Sequence, residues 1–340
     1  MSGNVMIQSS PPLIFEVPEE ANGARLDRFL RDTLPKISGG ALRHLIDGNR
    51  VRVDDASARK GSRVRAGQRV SVAIATTTER PLPQAERPLD ILDVTPAIIA
   101  INKPPGMPSH PLLPGELGTV ANALLARFPE CGDASDSARE GGLVHRLDWG
   151  TSGVLLAARS RAAYQRLRGL FSGGAVIKRY LALVNGVLEK AQTVDLPLRT
   201  RAGDRRRVSI AKSQDKGQPA HSEIETLAVL QKRYTLVTVR CATGRRHQVR
   251  VHLAALGHPI VGDDLYGGPP LPPEGDSLAN FDASPGAFLH AASVTLGNDE
   301  SDGISGENVF GAPLPAGRRA ILTSLGYTEA RKERLEPWAG

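Results

Sequence analysis

Apolar residues recur along this chain at two periods, and the period separates its elements. Near the N-terminus Leu26, Phe29, Leu30 and Leu34 fall at helical spacing, with Arg28 and Arg31 off that stripe and Pro35 ending it. Ser38 can cap a second helix with Leu42, Leu45 and Ile46 on its core side and Arg43 turned outward. Asp47-Gly48 reads as a turn, and "RVRVDD" and "RVSVAI" then alternate with period two, as strands do. Further on, "ILDVTPAIIAINKPPGM" predicts two apolar strands, around Ile91 and Ile98 to Ile101, broken sharply by Pro-Pro-Gly. Thr119 can cap a helix carrying Val120, Leu124 and Leu125. Residues 129–142, rich in Gly, Ser and Asp, predict a loop. "VLLAA" reads as a buried strand, and Ser160 can cap a helix with Tyr164, Leu167 and Phe171 inward. "VIKRYLALVNG" and "YTLVTVRCATG" predict strands; "HQVRVHLAALG" switches to the helical period and stops at Gly257.

These elements sort into two domains. Residues 1–21 read as a flexible extension, and 22–75 as a small α+β module that buries little surface alone. Three prolines in 76–88 mark a linker. Residues 89–327 mix strands and helices without a regular βαβ repeat, so the fold class expected is α+β, with a mixed, largely antiparallel sheet. Residues 328–340 form a tail.

Charge changes the picture. Residues 25–69 hold twelve Lys or Arg against five acids, so this segment alone carries the chain's net +7. Such a field suits a polyanion, although a solvated charged face has the same composition. The two cysteines, Cys131 and Cys241, form no disulfide framework. "MSGNVMIQSS" lacks the basic-then-apolar pattern of a signal peptide, and no apolar run spans a bilayer, so the expectation is a cytoplasmic protein without a membrane partner.

Candidate chemistry concentrates in "GGLVHRLDWGTSGVLLAARS", residues 141–160. No phosphate loop, zinc helix or nucleophile elbow occurs elsewhere. His247 and His252 are five apart, awkward for a shared metal, and Asp263-Asp264 reads as a Gly-flanked acidic turn. His145, Asp148 and Ser152 are the residue types of a hydrolase triad, but three members within eight residues align poorly. Asp148 itself either steadies a turn or is a carboxylate held at the entry of a strand. Gly150 and Gly153 would let the backbone approach a substrate, and Thr151 and Ser152 could fix the loop by bonding its amides.

"HRLDWGTSG" closely resembles a motif of the RluA-class pseudouridine synthases, H-R-L-D-x-x-T-S-G. "KRYLALVNG", "TGRRHQVRVHLAALGHPIVGDDLYGG", "FLHA", "FGAPLP" and "INKPPGMPSH" resemble the other motifs of that class, in the same order. The segment from Ala24 to Val72 resembles the small α-L RNA-binding motif. At one turn it departs from the usual Asn-Gly, with Asp54-Asp55.

The resemblance implies a pseudouridine synthase fold and isomerisation of uridine in RNA, without metal or cofactor. It implies Asp148 as nucleophile, Arg250 as the arginine pairing with it, and Tyr180 as the active-site tyrosine. Burial alone disfavours a charged carboxylate, and an adjacent guanidinium favours it. A uridine in folded RNA must first be flipped out. Arg146 would fill the gap left behind, His145 would orient the loop beside the RNA, and Arg245 and Arg246 would meet phosphates. Arg28, Arg31 and Arg43 would serve RNA binding in the N-terminal module. The partner expected is RNA, of the 23S ribosomal type before tRNA, bound by a monomer. A catalytically silent RNA-binding or ribosome-assembly factor is the alternative on the same fold. Where the class usually has polar residues after the Asp, this chain has Trp149 and Gly150; Trp149 either stacks on RNA or packs in the core, and packing is the expectation. Position 159 is Arg where the class commonly has Lys, and 269–280 reads as an inserted loop. The arginine run from Arg199 to Arg207 either contacts RNA or forms a solvated hairpin.

Overall fold

The computed structural model describes residues 12–34, 42, 45–46, 50–58, 61–73, 80–201, 203–204, 206–211, 217–272, 285–297 and 308–327. The Ser38 cap, Arg43, the Asp47-Gly48 turn, residues 273–280 of the inserted loop and the tail 328–340 lie outside them. The chain divides into two compact units, one essentially residues 1–79 and the other essentially 80–340.

The first unit holds β1 (Leu13–Glu16), α1 (Leu26–Thr33), β2 (Val51–Val53), β3 (Ala56–Ser57) and β4 (Arg69–Val72). Its sheet runs in the order β1-β4-β2-β3. Leu26, Phe29 and Leu30 of α1 pack with Leu42, Ile46, Val51 and Val70, so the helical stripe is the core face. The N-terminal boundary needs correction. Residues 13–16 are no loose extension: Phe15 pairs with Val70, and Val17 is buried. The departure at Asp54-Asp55 is absorbed locally. Both residues take left-handed φ, 50° and 64°, as a tight hairpin turn requires. Asp54 Oδ1 accepts from the Arg69 amide, and Asp55 pairs with the Arg69 guanidinium.

The second unit begins earlier than the sequence suggests. Arg80, read as linker, donates to Asp133 and to the Pro129 carbonyl, so residues 80–88 belong to this unit. Its elements begin with β5 (Asp90–Val94), β6 (Ile98–Lys103), α2 (Val120–Arg127), β7 (Ser152–Ala158), α3 (Arg161–Ser172) and β8 (Val176–Asn185). Then come β9 (Gln192–Asp195), β10 (Leu198–Thr200), β11 (Val208–Ile210), β12 (His221–Leu230) and β13 (Tyr234–Cys241). The last are α4 (Gln248–Ala255), β14 (Leu289–Leu296), β15 (Asn308–Gly311) and α5 (Ala316–Ser324).

One sheet organises this unit, in the order β5-β6-β7-β14-β8-β13-β12-β9, with β15 also on β14. Every described pairing in it is antiparallel except β7 with β14. The fold is thus α+β, mixed and largely antiparallel, as the sequence predicts. β7 and β14 are central, and all their residues are buried. Along β7 the side chains split by parity: Val154 and Leu156 pack with Tyr164 and Leu167 of α3, while Leu155 and Ala157 pack with Leu124 and Leu125 of α2. The sheet is therefore covered on both faces here, which explains why "VLLAA" shows no polar alternation. Both helices start on the predicted caps. Thr119 forms a reciprocal capping box with Asn122, and Ser160 Oγ accepts from the Ala163 amide. Of the 199–207 arginine run, Arg199 lies on β10 opposite Ser209 of β11, and the Arg201 amide donates to the Arg207 carbonyl beyond them; Arg205 lies outside the described residues.

Candidate active site

Asp148 lies in the loop that enters β7, and the residues around it are each bonded to a distant element. Ser109 Oγ donates to the Leu147 carbonyl at 2.9 Å and accepts from the Leu147 amide at 3.1 Å. The Trp149 carbonyl accepts from the Gly106 amide at 2.8 Å and from Lys103 Nζ at 3.2 Å. The Gly150 carbonyl accepts from Arg318 Nη2 at 2.5 Å, and Ser152 Oγ accepts from Arg318 Nη1 at 2.9 Å. A loop gripped at 147, 149, 150 and 152 holds the carboxylate between them in a fixed place.

Two of these anchors were absent from the sequence reading. Lys103 is fully buried at the end of β6 and also donates to the Pro104 and Met107 carbonyls. Desolvation, reinforced by the Arg318 charge, pushes its pKa down to about 7. Arg318 of α5 is buried as well, and its guanidinium further bonds the Ala287 and Leu289 carbonyls. Burial lowers its pKa to about 9, so it remains charged at neutral pH, held by carbonyl dipoles. Neither residue shows a local sequence signal; a lysine ending an apolar strand and an arginine on a C-terminal helix are ordinary patterns.

The glycines serve the backbone of the protein itself. Gly153 has φ +111°, and a Cβ there would lie 2.1 Å from the Ala291 carbonyl oxygen. A Cβ at Gly150 would come within 3.0 Å of Gly286 Cα. Close approach of β7 to β14 and its neighbouring loop therefore replaces the expected close approach to substrate. The Ser152 hydroxyl likewise bonds no loop amide.

Arg250, on α4, reaches Asp148 as the resemblance implies: Nη1 is 2.9 Å from Oδ2. Its other edge is occupied. Nε and Nη2 donate to Asp263 Oδ2 and Oδ1 at 2.7 and 2.8 Å, a bidentate grip on a fully buried carboxylate. Asp263 is thus no mere turn residue. Burial opposes the Arg250 charge, and the two carboxylates more than offset this, raising its pKa above the usual arginine range.

Tyr180, on β8, is partly buried against the core, and desolvation raises its pKa, with Cys241 and Asp148 adding to the shift. The phenol is therefore a proton donor at neutral pH. His247, weighed on sequence only as a zinc ligand, caps α4 with a left-handed φ of 56°. Its Nδ1 is 2.7 Å from the Tyr266 hydroxyl, and its Nε2 is 3.7 Å from Asp148 Oδ2. Desolvation holds its pKa down to about 4 against the pull of Asp148. His252 faces elsewhere, bonded to Ser222 Oγ and the Leu196 carbonyl.

A cavity of about 160 Å³ is lined by Asp148, Tyr180, His247, Arg250 and the predicted cations Arg146, Arg245 and Arg246. Arg245 is tied to the Pro219 carbonyl and Arg246 to the Arg206 carbonyl, while Arg146 is exposed. His145 is used inside the fold. Its ring stacks on Phe171 with centroids 4.7 Å apart, and Nε2 accepts from the Leu156 amide at 3.0 Å. Burial pushes its pKa down to about 3, so it is neutral and carries its proton on Nδ1. Arg28 and Arg31 are exposed on α1, 3.9 Å from Asp32 and Asp27 respectively.

The hydrolase reading is overturned. His145 does not meet Ser152. That serine, fully buried, sits 2.9 Å from Nδ1 of the equally buried His290, whose Nε2 faces the Ala312 carbonyl, and it also receives Arg318. A serine inaccessible to substrate, with a guanidinium bonded to its oxygen, is no nucleophile. The core placement expected of Trp149 is likewise wrong: the residue stands 52% exposed. Arg159 closes over Glu130 and the Thr95 carbonyl.

Comparison with known proteins agrees with the geometry. The RNA pseudouridylate synthase family profile matches residues 97–255. The chain is 33% identical over 337 residues to the ribosomal large subunit pseudouridine synthase D of Xanthomonas campestris pv. campestris, covering 96% of this chain and 98% of that one. With the protein of the same description from Nitrosomonas europaea it shares 34% identity over 313 residues, 91% of this chain and 86% of that one. Among solved structures it resembles human RNA pseudouridylate synthase domain containing 4, with a TM-score of 0.51 and 25% identity over 69% of this chain and 92% of that one. With full-length similarity of this order added to the paired Asp148 and Arg250, the chain belongs to the RNA pseudouridine synthase family.

Proposed function

We propose that this protein isomerises uridine to pseudouridine in large-subunit ribosomal RNA, in the cytoplasm, with Asp148 as the nucleophile. The observation that carries the reading is the Asp148–Arg250–Asp263 chain at the cavity: a partly exposed carboxylate kept beside a guanidinium that a buried second carboxylate immobilises. The relatives described as ribosomal large subunit pseudouridine synthase D support the substrate.

The chemistry fits the residues present. The N1–C1′ bond breaks, the uracil turns while held, and a C5–C1′ bond forms. C5 loses a proton and N1 gains one, so no oxidant, reductant or cofactor is consumed. Asp148 supplies an electron pair whose transient bond forms as N1–C1′ breaks and breaks again as C5–C1′ forms, and Arg250 holds its carboxylate aimed. The Tyr180 ring stacks on the uracil, and its protonated hydroxyl relays a proton. Arg146, exposed at the rim, fills the place of the flipped base. Arg245 and Arg246 meet phosphates, and the basic N-terminal unit, including Arg28, Arg31 and Arg43, adds sequence-independent affinity.

Tritium release tests the reading. Large-subunit RNA transcribed with uridine tritiated at C5 should release label with the wild-type protein, and the Asp148→Asn variant should release none above background. Release by that variant at the wild-type rate would overturn the role of Asp148; absence of release by the wild type would favour the silent RNA-binding factor.

A further inference from the structure

Trp149 occupies a place where this chain departs from its class, directly after Asp148. Its backbone is fixed, since its carbonyl accepts from both the Gly106 amide and Lys103 Nζ. Its side chain is not buried: 52% of the residue is exposed. The indole edge lies alongside Gly106, where a Cβ would come within 3.9 Å of Cζ2. Trp149 lines a cavity of about 370 Å³ that also opens on Arg146, Arg206, Arg246 and Arg250 and on the carboxylates of Asp148, Asp263 and Asp264. That volume is in the range of pockets that take small molecules.

An exposed indole offers a flat apolar face that a partner gains by covering. Around this one, the arginines bear on which partner fits. An apolar side chain docking on the indole would cover the guanidinium groups without bringing an acceptor to them. A nucleotide satisfies both halves: a base presents a flat π-face to the ring, and its phosphate accepts from the arginines. Because Trp149 is the next residue after Asp148, a strand whose uridine reaches Asp148 carries its neighbouring nucleotide past the indole.

We infer that Trp149 is a stacking platform for a nucleobase adjoining the target uridine, with Arg146, Arg206 and Arg246 around its phosphate. The inference rests on the RNA reading above and adds a second base site to it. Because the backbone of Trp149 is locked, the ring is presented with little ordering cost. Stacking tolerates any base, so this site contributes affinity and strand direction rather than strict sequence choice.

Fluorescence tests it directly, because the chain has only two tryptophans, Trp149 and Trp338. In the full-length Trp338→Phe protein, emission comes from Trp149 alone. Titration with oligouridylate and with oligoadenylate should quench it saturably, at the same midpoint as binding measured by anisotropy. Trp149→Ala should weaken binding about tenfold or more, and Trp149→Phe by far less. The salt dependence should be unaltered in both variants, because no charge is removed. Unchanged emission at saturating RNA, or unchanged affinity of Trp149→Ala, would overturn the inference. Equal loss in the Ala and Phe variants without quenching would also overturn it, by assigning Trp149 to support of the loop. Quenching by RNA together with no tritium release would leave the platform standing and defeat the isomerase reading instead.

Discussion

Arg250 binds Asp263 through two nitrogens, at 2.7 and 2.8 Å, and this leaves a single Nη1 to serve Asp148 at 2.9 Å. The buried carboxylate therefore fixes the plane of the guanidinium, and that plane fixes where Asp148, the proposed nucleophile, can sit. Asp263 meets Asp148 only through Arg250.

Removing that hold should damage both stability and turnover. Asp263→Asn keeps the shape but removes the charge that compensates Arg250 in its buried setting. Loss of one partner of a buried pair costs about 3–5 kcal/mol. Urea unfolding of Asp263→Asn should show a loss of that order. Tritium release should fall at least about 100-fold, as expected of a misaimed catalytic group. Wild-type turnover in this variant would mean that Arg250 needs no second partner.

Lysine should not replace Arg250. An ammonium is a point charge without the planar fork that spans two carboxylates. Arg250→Lys and Arg250→Ala are both expected to lose turnover heavily while binding RNA within about threefold of wild type, because most affinity comes from phosphate contacts elsewhere. Filter binding alongside tritium release separates the two quantities. Recovery of activity in Arg250→Lys would show that charge alone suffices.

Tyr180→Phe isolates the hydroxyl from the ring. With the phenol held protonated by burial, its removal should lower turnover by about 100- to 10,000-fold, the usual range for a proton-transfer group, and leave RNA affinity unchanged. A change in affinity with no change in turnover would assign Tyr180 to stacking alone.

Acid should destabilise the second unit through two desolvated imidazoles. His290 is fully buried, His145 is half-buried and stacked on Phe171, and desolvation pushes both pKa values down to about 3. In the unfolded chain each titrates near the usual value of about 6.5. Between these values the unfolded state binds the proton and the folded state does not, so stability falls as pH falls through this window. Each imidazole should contribute a loss of about 2 kcal/mol between pH 7 and pH 5. Urea unfolding at the two values should show it, and His290→Gln should remove its share. An unaltered pH dependence in that variant would show that His290 does not drive the loss.

Arg318 should prove structural in the same assays. Its guanidinium holds four acceptors around the catalytic loop, among them the Gly150 carbonyl and Ser152 Oγ. Arg318→Met leaves those buried acceptors unpaired, at a cost of about 1–3 kcal/mol each where nothing else replaces it. A thermal melt should show a marked drop in Tm. A melt like that of the wild type would show that water or a neighbour satisfies the carbonyls.

Much of this was legible along the chain, for physical reasons. A helix writes its core face at intervals of three and four residues, so Leu26, Phe29 and Leu30 announced α1, and Thr119 and Ser160 announced the helices they cap. The residues proposed to react lie within contiguous motifs that resemble those of the class, which is why Asp148, Tyr180 and Arg250 could be named and the first and last then found paired at 2.9 Å. The charge of the N-terminal unit needed only counting.

Other features had no such trace. β1 was missed because four residues seldom establish a period, and pairing with β4 made them a strand. Asp263 looked like any acid between glycines until α4 brought Arg250 onto it. Ser152, disfavoured as a nucleophile on spacing alone, has a role only the fold shows, because β14 and α5 set His290 and Arg318 around it in the core. Trp149 was expected to pack inside, yet the residue stands largely exposed while its carbonyl is held by Lys103 and Gly106. The sequence by itself determined the elements and, through motifs of neighbouring residues, the resemblance that names the family and proposes Asp148 as its acid. Only the tertiary structure decided what holds that acid in place, because its partners come from as far as 168 residues away, and contacts over that separation impose no pattern on the chain between them.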